Sequence, residues 1–291
     1  MNYKIIELED SLYPEKLKNI KKPPEKLYAL GNIELLKKDM FAVVGTRKIT
    51  EYGKRIAENF CTELALRDIP IISGMAVGTD TVAHKIALKY NSPTIAVLGT
   101  GLNNIFPKEN LELYNKILKS NGLVLTEVDL DGKYNSSRFP RRNRIVSGLS
   151  EGVLVIEAAY RSGTSITVRY AKEQGKKVFA VPGQLENIYG VGVNKFIKDG
   201  AILVTEIDDI LEFYPQFMNK KRKSRTEKSM KSEYIQIYKI LSQKSCTIDE
   251  LSAKIKNQTT REIINILTMM ELEDLIIQDL GNGYKLKEEN A

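Results

Sequence analysis

Cysteine and histidine are almost missing from this chain of 291 residues: Cys61 and Cys246 stand far apart, and His84 is the single histidine. A disulfide scaffold, a zinc site and a Ser/His or Cys/His nucleophile all need more of these residues, closer together. Long apolar runs are missing too. No segment approaches the roughly 20 apolar residues that a membrane span requires, and the opening MNYKIIELED has no secretory profile, so a cytoplasmic location is expected. The strict nucleotide fingerprints are also absent. Val44-Gly45-Thr46-Arg47 lacks GxGxxG spacing, Gly99-Thr100-Gly101 is not followed by a third glycine, and no GxxxxGK[ST] occurs, so no NAD, ATP or other cofactor is expected.

What the chain has is positive charge, unevenly placed. The net charge is +7. Residues 216–232 hold seven bases (Lys220, Lys221, Arg222, Lys223, Arg225, Lys228, Lys231) against Glu227, for +6, while residues 1–215 sum to +4 and residues 233–291 to −3. A basic balance suits a polyanionic partner, and the distribution assigns that partner to the first three quarters of the chain.

The stretch from Arg138 to Thr164 concentrates this character. Arg138, Arg141, Arg142 and Arg144 fall within seven residues of one aromatic, Phe139, with no acid among them, and an apolar strand follows at Gly152–Ile156. Guanidinium forks pair with phosphate oxygens, and a flat ring stacks on a base. Gly163 and Thr164, after the strand, offer backbone N–H groups to an anion. The stretch reads as an arginine loop on a phosphate-binding edge.

In chain order, residues 1–38 form an arm broken by Pro14, Pro23 and Pro24, lying over the next domain and ending in the short strand Leu27–Leu30. Short Val- and Ile-rich strands then alternate with helical patterns: Phe41–Val44, Pro70–Ile72, Thr94–Leu98, Leu123–Thr126, Gly152–Ile156, Lys177–Val181 and Ala201–Val204. This alternation over residues 39–215 predicts an α/β fold with a doubly wound, mostly parallel, Rossmann-like sheet. Ligands of such sheets bind beyond the carboxyl ends of the strands, where this chain places Gly45 to Arg47, Ser73-Gly74, Gly99 to Gly101, Glu157 and Pro182-Gly183. Glu157 is expected to pair with one of the arginines, Asp80 to serve a helix start, and His84 to be packed or solvated. No catalytic constellation emerges.

VGTR at 44–47, SGMAVGTDTVAH at 73–84, TIAVLGTGLNNIFPKEN at 94–110, FPRRNRIVSGLS at 139–150, VIEAAYRSGTSIT at 155–167 and AVPG at 180–183 occur in order, and together they resemble the DprA/Smf family of DNA-processing proteins. The resemblance implies an extended Rossmann fold, single-stranded DNA as ligand, a homodimer, and delivery of the strand to the recombinase RecA during natural transformation. It implies no enzymatic activity. Carried onto this sequence, it places Arg47, Phe139, Arg142 and Arg144 in the strand-binding pocket, with Ser73, Gly74, Gly163 and Thr164 as neighbouring anion donors. Gly45 and Arg141 complete the expected DNA- and phosphate-binding set. A competing reading, a Rossmann-like nucleoside monophosphate phosphoribohydrolase, needs a PGGxGTxxE element. Here Arg161 to Thr167 stands in that place with no glutamate following.

Residues 216–232 read as a basic linker. Beyond it, residues 233–291 predict a small winged-helix domain: helix Tyr234–Leu241, a second helix opened by the capping box Thr247 to Glu250, a third from Thr259-Thr260 to about Glu273, and a hairpin turning at Gly281 to Gly283. Its third helix carries Glu262, Glu271 and Glu273 against Arg261, which favours a protein contact over DNA.

Overall fold

The computed structural model describes residues 3–224, 232–272, 275–278 and 283–287. It divides into two compact units, Met1–Lys223 and Ser224–Ala291. Seven parallel strands form the centre of the first: β3 (Phe41–Val44), β4 (Ile71–Ser73), β5 (Thr94–Val97), β6 (Leu123–Thr126), β7 (Gly152–Val155), β8 (Lys177–Ala180) and β9 (Ile202–Leu203). All seven lie where the Val and Ile runs predict them, within two residues at each end.

The amino-terminal segment does more than lie over this sheet. It contributes two strands to it, β1 (Lys4–Glu7) and β2 (Lys26–Gly31), with β2 antiparallel to both β1 and β6, so the order across nine strands is β1-β2-β6-β5-β4-β3-β7-β8-β9. Between them α1 (Glu15–Lys18) inserts Leu17 into the core. Pro14, Pro23 and Pro24 do break this segment, but the predicted strand after them is paired, Lys26–Ala29 with β1 and Tyr28–Gly31 with β6.

Alternation along each strand builds two apolar layers. Ala42 and Val44 face one layer with Ile145, Val146, Leu149, Val168 and Phe196. Phe41 and Val43 face the other with Phe60, Leu64, Ala83, Leu211 and Phe217. The first layer is covered by α5 (Arg138–Leu149), α6 (Gly163–Glu173) and α7 (Ile188–Lys198), the second by α2 (Glu51–Leu66), α3 (Thr79–Lys89) and, further along, α4 (Leu111–Lys119). The run of arginines expected as a loop is the start of α5, because Pro140 falls in a first turn that needs no N–H from it.

The basic linker also begins later than predicted. After α8 (Asp208–Leu211), α9 (Pro215–Met218) buries Phe217 against Phe41 and Tyr214, with ring centroids 6.3 and 5.6 Å away. Lys223 N–H donates to Leu66 O at 2.9 Å, Lys223 Nζ pairs with Asp68 and Arg222 with Glu63. Residues 216–223 therefore belong to the first unit; Arg225, Lys228 and Lys231 lie outside the described residues.

The second unit holds α10 (Ile235–Leu241), α11 (Ile248–Lys254) and α12 (Thr260–Leu272), then the antiparallel pair β10 (Ile276–Gln278) and β11 (Tyr284–Leu286). Thr247 and Glu250 form the predicted capping box. Ile237, Leu251, Ile263 and Leu267 make a core of its own. Glu273 and the turn residues Gly281 and Asn282 lie outside the described residues. Cys61 and Cys246 are buried, unpaired thiols in different units.

Candidate nucleic-acid interface

The chain passes from β3 outward through β4, β5 and β6, then returns to β7 on the other side of β3. This reversal opens a crevice at the carboxyl ends of β3 and β7, the position at which doubly wound sheets take ligands. The crevice is a cleft of 390 Å³ lined by Gly45 to Lys48, Gly74, Asp80, Arg142, Asn143 and Ser162 to Thr164, among others. A second hollow of 240 Å³ continues from it, sharing Arg47, Gly74, Ala76, Phe139 and Arg142, and ends at Phe106, Pro107 and Glu109. The two make one trough.

The loop after β3 is held from several sides. Thr46 N–H donates to Glu157 O at 2.7 Å, Thr164 Oγ1 to Gly45 O at 2.9 Å, and Thr79 N–H to Thr46 O at 3.2 Å. Glu157 does not pair with an arginine as expected: its carboxylate accepts from Thr50 N–H at 3.0 Å and Thr50 Oγ1 at 2.7 Å, fixing the start of α2. The result is a rigid loop that presents Arg47 and Lys48 to solvent. Arg47 makes no ion pair among the described residues.

Arg142 lies on the floor of the trough, 4% exposed, and donates through Nη1 to the carbonyls of Gly74 and Val97. Its Nε is buried without a partner among the described residues. Burial pushes its pKa down to about 10; neighbouring Asp80 opposes this and neighbouring Arg47 adds to it. Asp80 accepts from Ala76 N–H at 3.2 Å, and burial raises its pKa despite the attraction of Arg142. Both partners thus shift against ionisation, so burial outweighs their mutual attraction, and an anion in the trough would relieve the guanidinium. A Cβ at Gly74 would collide with the Arg142 guanidinium, so any larger residue there would have to displace it.

The remaining expected residues separate into those that face the trough and those that support it. Gly163 is exposed at the first turn of α6, where N–H groups have no intrahelical acceptor. The hydroxyls of Thr164 and Ser73 are spent on Gly45 O and, at 2.7 Å, Val43 O, so they brace strands and donate nothing to a ligand. Arg144 is the clear correction. Two residues past Arg142 on the helix, it points the opposite way, 3% exposed, in a bidentate pair with Glu127 (both contacts 2.7 Å) and with Nε donating to Lys22 O at 2.9 Å. It ties the amino-terminal strands to the sheet and is not available to phosphate. Arg141, 68% exposed, touches the same Glu127 at 3.2 Å and lines a separate hollow with Glu127, Asp129 and Arg138, outside the trough.

Phe139 is nearly buried, packed on Gly99, and forms an aromatic trio with Phe106 and Tyr134 at 5.6 and 5.3 Å. The exposed rings of that trio are Phe106 (38%) and Tyr134 (56%), 4.5 Å apart. Neither was expected from the sequence. Phe106 sits in the quoted IFPKEN stretch without an assigned role, and nothing around Tyr134 signals one. Lys48 was also missed, although it adjoins Arg47.

These features define a doubly wound α/β protein whose strand-end trough joins paired arginines to an aromatic wall. The chain matches the family model described as DNA recombination-mediator protein A over residues 4–215, and it belongs to that family. It is 46% identical to protein Smf of Escherichia coli over 211 residues, which are 72% of this chain and 56% of that protein. It is 40% identical to the DNA processing protein DprA of Bacillus subtilis, covering 72% of this chain and 71% of the other. The X-ray structure of DprA from Streptococcus pneumoniae superposes with a TM-score of 0.69 at 38% identity, covering 73% of this chain and 74% of that one. A structure of DNA processing protein A from Helicobacter pylori, described for its single-stranded DNA binding mode, has a TM-score of 0.66 at 30% identity and covers 74% of this chain and 97% of that one.

Proposed function

We propose that this chain binds single-stranded DNA along the strand-end trough and, as a cytoplasmic homodimer, protects incoming strands and loads RecA onto them during natural transformation. The observation that carries the reading is Arg47, an exposed guanidinium without an ion pair among the described residues, set beside the buried and incompletely satisfied Arg142. Phosphates would satisfy both, and the N–H groups at Gly163 would add to them; Arg141, expected in the same set, could reach only a strand that continues past the trough. The aromatic wall explains the preference for single strands, since a base reaches a ring only when it is unstacked and unpaired. Membership of a recombination-mediator family supports the same reading.

The proposed dimer rests on the outer edge of the sheet. β9 ends the strand order with Leu203 exposed, and Leu185, Ile188 and Val191 are exposed at and before the start of α7. An unpaired apolar edge is an invitation to a second copy. Hydrolysis of nucleoside monophosphates is disfavoured, because the Glu157 carboxylate is held by Thr50 and is not free to act on a ligand.

Fluorescence anisotropy with single-stranded and duplex DNA of equal length tests the proposal. Binding of the single strand in clear preference to the duplex is expected. Equal binding, or release of free base from a nucleoside monophosphate, overturns it.

A further inference from the structure

The trough's second hollow has a composition unlike the first. Ala76, Val77, Phe106, Pro107 and Phe139 give it apolar walls, and Glu109 is the acid at its rim. Glu109 is exposed and takes no hydrogen bond or ion pair among the described residues, whereas Asp80, the acid of the first hollow, is buried and held by Ala76 N–H. A phosphate is repelled by a free carboxylate; an N–H edge is attracted by it. Apolar walls with one oriented polar group are the ordinary make-up of a pocket for a flat ligand. Phe106 packs against Tyr134 and Phe139, with ring centroids 4.5 and 5.6 Å away, and keeps 38% of its surface exposed.

We propose that this hollow is a nucleobase subsite, with Phe106 as its stacking wall and Glu109 as the acceptor that selects the base. The proposal rests on the single-strand reading and deepens it. Unpaired bases expose their Watson–Crick edges. On that edge guanine alone presents two adjacent donors, N1–H and N2–H, which match the two oxygens of a carboxylate. Adenine and cytosine set one amino donor beside a ring nitrogen lone pair, and thymine sets one N–H between two carbonyl oxygens. The subsite therefore ranks guanine first and thymine last. Arg47 and Arg142, shared with the first hollow, hold the phosphate next to the selected base.

The test uses the full-length protein and labelled oligo(dT) strands carrying one central thymine, guanine or abasic position, read by anisotropy. The guanine strand should bind about tenfold more tightly than the thymine strand, within the range one bidentate base contact supplies. Glu109→Gln should bring the two to within about twofold, since an amide cannot accept from both donors. Phe106→Leu keeps apolar volume but removes the ring; it should weaken base-bearing strands about tenfold and leave a fully abasic strand unchanged. Should Phe106→Leu fail to fold, 2-aminopurine at the central position gives a readout on the unaltered protein, with quenching expected on binding. Equal affinity for guanine and thymine in the unaltered protein, or unquenched 2-aminopurine, overturns the subsite while leaving single-strand binding intact. Failure to bind any single strand overturns the underlying reading and the subsite with it.

Discussion

Arg47, Arg142 and Arg144 carry the same charge and serve three different ends, decided by what each guanidinium meets. Arg47 is exposed and unpaired among the described residues, so Arg47→Ala should weaken single-strand binding for all sequences. The slope of log affinity against log salt should drop by about 0.7, the value for one lost phosphate contact; an unchanged slope would remove Arg47 from the phosphate track. Arg144 lies in a buried bidentate pair with Glu127. Arg144→Ala leaves that nearly buried carboxylate only the exposed Arg141 as a partner, so urea denaturation should show a loss on the order of 3 kcal/mol. A stable variant with reduced DNA affinity would return Arg144 to the binding surface. In the sequence these arginines are indistinguishable, because the pairing partner Glu127 lies on another element and only the turn of α5 separates their directions. His84 adds a pH dependence. Buried and bonded to Thr94 Oγ1 at 2.7 Å, it has its pKa held by burial at about 3 against the ordinary 6.5. The unfolded chain then takes up a proton that the folded chain refuses, so stability is full above pH 6.5 and falls as pH drops from 6.5 towards 3. Denaturation midpoints across this range should fall more steeply for the natural protein than for His84→Gln; parallel curves would exclude the histidine as the cause.

At the scale of elements, legibility followed periodicity. The seven parallel strands are short runs of Val and Ile between helical patterns, and a strand buried on both faces has no other composition open to it. The capping box at Thr247 was readable for a similar reason, since both its partners lie within four residues. Elements defined by distant partners were not readable. The strand at Leu27–Leu30 was legible, but not its place in the sheet between β1 and β6; the start of α5 was masked by a proline among arginines, and α9 looks like linker until Phe217 is seen between Phe41 and Tyr214. The aromatic trio was illegible for the same reason, its rings coming from two loops and a helix. The place of α9 makes a definite claim. Phe217 is fully buried, so Phe217→Ala should cost about 3–5 kcal/mol in the first unit. A loss under about 1 kcal/mol, a value usual for surface changes, would restore this stretch to the linker.

For the whole molecule, the question is which parts contribute to DNA affinity. The electrostatic part of that affinity follows the number of phosphates neutralised, and residues 233–291 sum to −3. Of the seven linker bases, Lys220, Arg222 and Lys223 are already engaged with Asp68 O, Glu63 and Asp68 in the first unit. They brace α2 and the turn after it more than they extend a basic arm. A chain ending at Ser224 retains the whole trough, the Phe217 anchor and these contacts, and should keep its single-strand affinity to within about tenfold at moderate salt. A chain ending at Pro215 loses Phe217 as well, so its defect should appear first as lowered thermal stability and only then as weaker binding. The comparison is to be repeated at low and high salt, because Arg225, Lys228 and Lys231 matter most when screening is weak. If the chain ending at Ser224 loses more than about tenfold at both, equivalent to ~1.4 kcal/mol, the loss is not one of screened linker charge. The second unit would then touch the strand directly, despite the acids Glu262 and Glu271 on its third helix.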